Sequence, residues 1–292
     1  MKKIAILCCA LLLLGITGCA RTADDRAGKM EKIEIPSVLL GKSITSYVYL
    51  PCGYDVAGAY PTLYFMASGG GSAYTVINQF EIAQAADAVM QDGEIAPMII
   101  VALGVDFSFG INSADVPGTR TFESERIYNF AEGRYEDYIV QEAIPYIDEH
   151  YATRKDRAFR CIGGYSMGGF AALHVGFRNP GLFSKIGGHS PTLFLDTYVT
   201  PEIDRWLFPT EEDRQVRDPL RLAETANLAG MRVYLDTGAA DVNYDACRAL
   251  AQKLTERGVD AAFTALPGSH GFSYCREHMP AYLRFYGNLE AE

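Results

Sequence analysis

The sequence predicts an α/β protein in which a mostly parallel central sheet carries helices on both faces. Apolar-rich segments alternate with amphipathic segments over nearly the whole chain. Two short runs, residues 62–66 and 98–103, are apolar almost throughout, as strands buried on both faces are. Because helices of about ten or more residues separate successive strands, we expect the strands to pair in parallel. The 292 residues are enough for one large domain of this kind.

The remaining elements follow in order along the chain. Residues 43–50 alternate polar and apolar side chains, which indicates a half-exposed edge strand. Apolar residues at helical spacing predict helices over residues 79–91 and 135–150. Strands are then predicted over 159–163, 185–188, 232–236 and 261–266, and helices over 167–178, 244–257 and 277–288. Segments 106–134 and 191–228 lack periodicity and are long enough to be functional insertions near the carboxyl ends of the strands, where such sheets bind ligands.

The N-terminal segment resembles the signal peptide of a bacterial lipoprotein. Two lysines precede an apolar run over residues 4–16, which is too short to span a bilayer as a permanent helix. The following Ile-Thr-Gly-Cys resembles a lipobox, which implies lipid on Cys19 after cleavage. We therefore expect residues 1–19 to direct an exported protein to the cell envelope, at the outer membrane if the cell has two membranes. A plain cleaved signal with a chance cysteine is the alternative.

The next residues predict a flexible connection to one folded domain. Residues 20–31 are small and charged, which is typical of a tether. Residues 32–292 show no internal repeat and no second linker, so we expect them to form a single domain.

The charge balance argues against nucleic-acid binding. The formal net charge is −10, and it becomes −12 once the two signal lysines are removed, with 24 basic residues against 36 acidic ones. No cluster of Lys and Arg interrupts this acidic chain. A nucleic-acid partner is therefore excluded.

Four cysteines remain in the expected mature chain beyond Cys19, namely Cys52, Cys161, Cys247 and Cys275. An exported protein can oxidise them, and four cysteines allow three full pairings that the sequence does not rank. Cys161 lies in a predicted buried strand, which favours a small core residue. The sequence has no Cys-x-x-Cys spacing and no His pair typical of a metal site, so we expect neither a metal nor an organic cofactor.

A candidate nucleophile lies between a predicted strand and a predicted helix, in Gly164-x-Ser166-x-Gly168. A strand that turns at once into a helix forces unusual backbone angles on the serine, and side chains two residues to either side would collide. Glycine at both positions therefore leaves the Ser166 hydroxyl exposed at the helix N-terminus. The backbone N–H of Met167 then points to where an oxyanion would form. The alternative is an inert serine in a glycine-rich turn.

A serine hydroxyl needs a histidine to remove its proton, and the sequence contains five. His270 lies in a loop between the last strand and the last helix, which is where a base belongs in an α/β sheet of this kind. His278, which opens the last predicted helix, and His189, at a strand end, stay open as alternatives. His150 and His174 fall within predicted helices and are expected to be surface or packing residues.

The histidine in turn needs a carboxylate that fixes its tautomer. Asp241 is the candidate, because it lies in the loop past the strand at 232–236 and near the expected route of the His270 loop. Asp236 at the strand tip is the alternative, and Asp245 in the next helix is a weaker one.

A second oxyanion donor is expected in the loop that follows the strand at 62–66. Glycines let the backbone approach a substrate oxygen, and the N–H of Gly70 is the candidate, with Gly69 and Gly71 open as alternatives. A simple flexible turn is the competing interpretation.

Several of these motifs together resemble the esterase D family of α/β-hydrolases, which includes feruloyl and acetylxylan esterases, S-formylglutathione hydrolase, enterochelin esterases and mycolyltransferases. The resemblance covers roughly residues 33 to 287 and implies the α/β-hydrolase fold with the triad Ser166, Asp241 and His270. The glycine loop departs from the family pattern, and the family's glycine is matched at Gly69. The similar stretches, in the family's order, are 60–65, 134–139, 144–147, 164–169, 179–183, Ser190, 238–241 and 268–270.

The resemblance implies a serine carboxylic-ester hydrolase that forms an acyl-enzyme. For an exported member we expect an ester substrate carried on carbohydrate, such as a feruloyl or acetyl ester of a polysaccharide. An acyltransferase or a siderophore esterase with the same triad, and a catalytically dead envelope binding protein, are the alternatives. Aromatic residues of the two insertions are candidates to line a site for a ring, namely Phe107, Phe109, Phe122, Tyr198, Trp206 and Phe208.

Overall fold

The computed structural model of the chain describes residues 27–123, 127–195 and 201–288. The predicted signal peptide with Cys19, the first part of the predicted tether and Tyr198 lie outside the described residues. None of the helices in these ranges is both long and apolar enough to cross a membrane.

Within the described ranges, eight strands form one sheet and two form a separate hairpin. The sheet strands are β1 (Lys29–Ser37), β2 (Lys42–Leu50), β3 (Thr62–Met66), β4 (Ile99–Leu103), β7 (Arg160–Tyr165), β8 (Lys185–His189), β9 (Arg232–Gly238) and β10 (Asp260–Leu266), and the hairpin pairs β5 (Gly118–Glu123) with β6 (Ile127–Glu132). The strand order is β1-β2-β4-β3-β7-β8-β9-β10. The six neighbouring strands β4-β3-β7-β8-β9-β10 pair in parallel. At one edge, β2 pairs antiparallel with β4, and β1 pairs antiparallel with β2.

Helices cover both faces of the sheet, as the sequence predicts. They are α1 (Ala73–Asn78), α2 (Ile82–Gln91), α3 (Tyr135–Asp137), α4 (Ile144–His150), α5 (Met167–Arg178), α6 (Pro201–Leu207), α7 (Glu211–Arg217), α8 (Pro219–Thr225), α9 (Tyr244–Glu256) and α10 (Phe272–Gly287), with a π-helical segment (Tyr138–Ala143) joining α3 to α4. Alternate residues of one strand enter different cores, because a strand directs successive side chains to opposite faces. Phe65 packs in the core with α1, α2 and α10, whereas Tyr64 packs in the core with α4, α5 and α9.

Two expectations at the N-terminal end are wrong in detail. Residues 43–50 belong to β2, which is not an edge strand, because β1 pairs with it from Lys29↔Leu50 to Ser37↔Lys42. A neighbouring strand occupies the hydrogen-bonding edge and leaves the two side-chain faces unchanged, so polar–apolar alternation does not distinguish an edge strand from the next one in. Residues 29–31, the end of the predicted tether, belong to β1 and are part of the sheet.

The two aperiodic insertions meet above the carboxyl ends of the parallel strands. The β5–β6 hairpin belongs to the first insertion, and α6 to α8 belong to the second. Phe130 of β6 is fully buried and stacks on Trp206 of α6, with ring centroids 4.4 Å apart. Its ring also contacts Phe107, at 4.9 Å. This aromatic packing joins the insertions into one wall beside the loops that follow β3, β7, β9 and β10.

Candidate active site

The turn between β7 and α5 holds Ser166 in an uncommon backbone conformation, with φ 58° and ψ −116°. The flanking glycines make this turn sterically possible. A Cβ on Gly164 would overlap the Gly168 carbonyl group, and a Cβ on Gly168 would overlap the carbonyl oxygen of Met66 in β3. The Ser166 N–H donates to the His189 carbonyl at 2.9 Å, which ties the turn to the neighbouring strand. The turn therefore stores local strain that the surrounding sheet holds in place.

The structure brings Ser166, His270 and Asp241 together. Nε2 of His270 lies 2.9 Å from Oγ of Ser166, and Nδ1 of the same ring lies 2.9 Å from Oδ2 of Asp241. The three residues come from three loops, after β7, β10 and β9 respectively. Ser166 is mostly buried, whereas the His270 side chain is 32% exposed, so the cleft gives solvent access to the imidazole.

The Asp241 side chain is held in its ionised form. Burial raises the pKa of this carboxyl, but hydrogen bonds from His270 and from the Asn243 N–H, at 2.8 Å, outweigh burial and lower the pKa overall. An ionised carboxylate only accepts hydrogen bonds. Nδ1 of His270 therefore carries the proton, which leaves Nε2 free to accept the Ser166 proton.

Asp236, the alternative acid, belongs to a separate buried network. Its carboxylate accepts from Nδ1 of His189 at 2.6 Å and from the hydroxyls of Tyr274 and Tyr282, each at 2.8 Å. Nε2 of His189 lies 2.8 Å from the Tyr286 hydroxyl. Both ring nitrogens of His189 are thus engaged inside the core, which excludes His189 and Asp236 as the base and acid for Ser166.

The other three histidines also have contacts of their own. His174 lies buried in α5, between the Arg217 carbonyl at 2.9 Å and the Glu136 carboxylate at 3.3 Å. His150 lies on α4 and contacts the Tyr146 carbonyl at 2.8 Å. His278 lies within α10, which starts five residues before the predicted helix, and its ring packs against Tyr274. Asp245, the weaker alternative acid, lies in α9 and pairs with Arg248.

The glycine loop after β3 lies beside the N-terminus of α5. Gly69 and Gly70 both line the same cleft as Met167, and the Gly70 backbone has φ +73°, a conformation that favours glycine. The Gly71 N–H already donates to the Ser68 carbonyl at 3.0 Å, so the structure removes Gly71 from the three candidate donors. The Met167 amide and the amides of Gly69 and Gly70 are left as the candidate donors, with Gly70 the one expected from the sequence.

Ser166 lines a cleft of about 410 Å³. Of the aromatic residues expected to line a site, Phe107 and Phe109 do so, whereas Trp206 and Phe208 pack inside the wall. Phe122 packs against Phe130 instead. The residues around the cleft are Gly69, Gly70, Phe107, Phe109, Ile127, Tyr128, Ser166, Met167, Thr192, Phe194, Ile203, Val242, Asn243 and His270. Most of these side chains are apolar, and the reactive groups of Ser166 and His270 are among the few polar ones.

Three residues of the site were missed by sequence reasoning. Oγ1 of Thr192 lies 3.2 Å from Oγ of Ser166. The Tyr165 hydroxyl accepts a hydrogen bond from the Gly271 N–H at 2.7 Å. Nδ2 of Asn243 lies 3.4 Å from Nδ1 of His270. No local sequence pattern predicts these contacts. The one available signal was that Tyr165 directly precedes Ser166, which places its side chain near the active site.

The described residues contain no cluster of three or more His, Cys, Asp or Glu side chains that could hold a metal ion. Cys161 is a buried core residue, as its strand predicts, and burial raises the pKa of its thiol to about 12. Cys247 and Cys275 are buried as well, and burial raises both thiol pKa values. These three thiols are therefore protonated, unreactive packing groups.

The chain is similar in sequence to known proteins. A family model described as "Putative esterase" matches residues 37–286. The chain is 30% identical over 185 residues to an "Endo-1,4-beta-xylanase/feruloyl esterase" from Xylanibacter ruminicola, covering 62% of this chain and 23% of that protein. It is 27% identical over 161 residues to "Endo-1,4-beta-xylanase Y" from Acetivibrio thermocellus, covering 51% and 13%. The chain thus spans less than a quarter of the length of these curated relatives.

Solved structures share the fold at lower identity. A ferulic acid esterase superposes with a TM-score of 0.77 at 20% identity, covering 91% of this chain and 99% of that one. An S-formylglutathione hydrolase from Staphylococcus aureus superposes with a TM-score of 0.67 at 18% identity, covering 89% of this chain and all of the other. These likenesses establish the α/β architecture of the chain.

Proposed function

The chain belongs to the esterase family whose model covers residues 37–286, and from this membership we propose that it is a serine esterase that hydrolyses carboxylic esters through an acyl-enzyme. One observation carries the proposal: the His270 ring lies 2.9 Å from the Ser166 hydroxyl on one side and 2.9 Å from the Asp241 carboxylate on the other. These are hydrogen-bonding distances for a nucleophile, a base and the acid that orients the base.

In the first step, Oγ of Ser166 attacks the ester carbonyl while Nε2 of His270 removes its proton. The ionised Asp241 stabilises the imidazolium that results. The negative charge on the former carbonyl oxygen is held by the N–H group of Met167, at the N-terminus of α5, and by that of Gly70, in the loop after β3. The alcohol leaves with the proton from His270. Water then attacks the acyl-enzyme, with His270 as base, and the acid is released.

The proposed substrate is an acyl group carried on a carbohydrate, in particular a feruloyl or acetyl ester. Two observations support this class. One relative, with 30% identity, is named as a xylanase and feruloyl esterase. The cleft beside Ser166 is lined by the partly exposed aromatic side chains of Phe107 and Tyr128, which present flat apolar surface to an aromatic acyl group.

A panel of esters tests this function on the full-length protein. We expect burst release of p-nitrophenol from p-nitrophenyl acetate and turnover of methyl ferulate or acetylated xylan. Ser166→Ala should abolish both, whereas Ser43→Ala, an exposed serine of β2, should leave both unchanged. Full activity of Ser166→Ala would refute the mechanism. Transfer of the acyl group to an added sugar, with little release of free acid, would identify an acyltransferase, and turnover of a siderophore triester alone would refute the carbohydrate class.

The proposed location is the bacterial cell envelope, with the protein attached to the membrane by lipid on Cys19. The proposal is supported by the signal-like sequence that ends at this cysteine. Growth with radiolabelled palmitate in a bacterial host should label the wild-type protein. Cys19→Ala should remove the label, and Cys52→Ala, an exposed cysteine of the folded domain, should retain it. Label that persists in Cys19→Ala would overturn the assignment.

A further inference from the structure

The Thr192 hydroxyl, like the His270 ring, lies in hydrogen-bonding reach of the reacting oxygen of Ser166. Oγ1 of Thr192 lies 3.2 Å from Oγ of Ser166, and His270 Nε2 lies 2.9 Å from that same oxygen. Thr192 lies on the loop after β8 and lines the cleft.

The backbone fixes Thr192 in this position. Its N–H donates a hydrogen bond to the Ser166 carbonyl at 3.0 Å. Both the backbone and the hydroxyl of Thr192 therefore contact Ser166. Two residues earlier, the Ser190 N–H donates to the Asp236 carbonyl at 2.8 Å. The absence of a side chain at Gly169 lets this loop lie against the first turn of α5, because a Cβ there would lie 3.0 Å from Pro191. The contact between the hydroxyls is therefore built into the fold.

A count of protons gives the direction of the hydrogen bond. Asp241 only accepts, so Nδ1 of His270 carries a proton and Nε2 is the acceptor for the single Ser166 proton. The Ser166 oxygen then has no proton left to donate to Thr192. The remaining arrangement has the Thr192 hydroxyl donating to Oγ of Ser166.

We propose that the Thr192 hydroxyl is a catalytic donor that makes Oγ of Ser166 a better leaving group when the acyl-enzyme is hydrolysed. This inference rests on the proposed acyl-enzyme mechanism. A donor draws electron density from the oxygen, which makes it a better leaving group and a weaker nucleophile. Thr192 therefore accelerates deacylation and does not accelerate acylation.

Deacylation is the attack of water on the acyl-enzyme, with His270 as the base. Water adds to the acyl carbon and its proton passes to Nε2 of His270, which forms a tetrahedral intermediate. The intermediate then collapses, the bond from carbon to Oγ breaks, and its electron pair moves onto Oγ. The proton on His270 is transferred to that oxygen, and the carboxylic acid leaves. The Thr192 proton stays on Thr192 and only stabilises the charge that develops on Oγ.

The test separates the two chemical steps in a single turnover, with enzyme in excess over p-nitrophenyl acetate. Release of p-nitrophenol reports acylation, and intact-protein mass spectrometry of quenched samples follows the acetyl adduct on Ser166. In Thr192→Val, which keeps the shape and removes the hydroxyl, we expect the adduct to decay about tenfold more slowly, the loss expected for one hydrogen bond. Acylation should keep its wild-type rate or become slightly faster.

Three further variants make the result specific. Thr192→Ser restores a hydroxyl and should restore the deacylation rate, and Thr192→Ala should reproduce the slow decay if the valine variant folds poorly. Thr237→Val is the matched control, because Thr237 is fully buried nearby in β9 and its hydroxyl finds no hydrogen-bond partner among the described residues. That control should deacylate at the wild-type rate.

Two outcomes would overturn the inference. One is wild-type decay of the adduct in Thr192→Val and Thr192→Ala, and the other is a loss confined to the acylation rate. Failure of the proposed function gives a different result, since the wild-type protein would then form no acetyl adduct on Ser166 at all.

Discussion

The Gly271 N–H donates a hydrogen bond of 2.7 Å to the Tyr165 hydroxyl, so the residue directly before Ser166 holds the loop that carries His270. The Tyr165 ring also lies against the imidazole, with centroids 5.1 Å apart. Burial raises the pKa of Tyr165, which keeps the hydroxyl protonated. A single side chain therefore connects the strand that ends at the nucleophile to the loop that supplies the base, across 106 residues of sequence.

Tyr165→Phe should lower kcat on p-nitrophenyl acetate while KM changes little. The variant keeps the aromatic packing and removes the acceptor of the Gly271 N–H, so the His270 loop loses one of its anchors. We also expect the unfolding free energy to fall by about 1 kcal/mol, the usual contribution of one hydrogen bond. The loss is no larger because Gly271 is partly accessible to water, which can accept from its N–H. Tyr146→Phe, on α4, is the matched control and should behave as wild type. An unchanged kcat in Tyr165→Phe would show that the loop keeps its position without this bond.

Gly168→Ala should be strongly destabilising, because the new Cβ would overlap the Met66 carbonyl oxygen. Backbone cannot move aside as the end of a flexible side chain can, so we expect a loss at or above the roughly 1–3 kcal/mol typical of overpacking. Thermal unfolding measures the change. Gly181→Ala provides the control, since a Cβ added there would meet no atom within 4 Å apart from its own chain neighbours. Equal melting temperatures for the two variants would contradict the steric account of the turn.

Asp241→Asn should reduce kcat by about 10⁴-fold, the order of loss seen when the triad carboxylate becomes an amide. An amide group can donate to Nδ1 of His270, which would favour the wrong tautomer and leave Nε2 protonated. Steady-state kinetics on a p-nitrophenyl ester measures the effect, and Asp245→Asn on the exposed side of α9 is the control. A loss of less than about tenfold would remove Asp241 from the proposed mechanism.

Asp236→Asn should affect stability far more than chemistry. This carboxylate is fully buried and accepts hydrogen bonds from His189, Tyr274 and Tyr282. Removing an acceptor oxygen from a buried hydrogen-bond network leaves donors unsatisfied, which typically costs about 1–3 kcal/mol for each such group. We expect a fall of this order in urea denaturation, with kcat of the folded protein within a few-fold of wild type. A large fall in kcat at full stability would instead indicate a direct role in catalysis.

Glu136 gives the protein part of its acid sensitivity. Burial raises the pKa of this carboxyl, but bonding to His174 and then Arg178 outweighs burial and lowers the pKa to about 2. Because the folded pKa lies below the unfolded value of 4.5, ionised Glu136 stabilises the fold fully above pH 4.5. That contribution, about 3 kcal/mol, is lost as the pH falls towards 2.

Denaturation of wild type and Glu136→Gln across this range tests the assignment. The difference in unfolding free energy should be largest near pH 7 and should shrink between pH 4.5 and pH 2. Glu256→Gln, at the end of α9, serves as the control. A difference that stays constant with pH would mean that Glu136 contributes nothing through its charge.

Much of the architecture was predictable because its signals are local. The helix Met167–Arg178 and the strand Thr62–Met66 have the predicted bounds, since buried strands and helices are marked by the spacing of their own apolar residues. The role of the glycines around Ser166 was equally predictable, because the steric overlap that they avoid arises within a turn of only five residues. The β1 strand was missed because residues 29–31 were assigned to the tether, although Ile33 and Ile35 alternate with charged residues as in a half-exposed strand.

The α/β fold, the strained turn at Ser166 and the loop position of His270 were predictable from the sequence alone, because each follows from the conformational preferences of adjacent residues. The tertiary structure was needed to choose Asp241 over Asp236, because Asp236 lies in β9 and contacts the buried His189, whereas Asp241 lies in the loop after β9 and contacts His270. It also removed Gly71 as a donor and brought Thr192 to the Ser166 hydroxyl. Such contacts form where loops that follow separate strands meet at one edge of the sheet. The distances between these loops depend on the whole fold, so no short stretch of sequence predicts them.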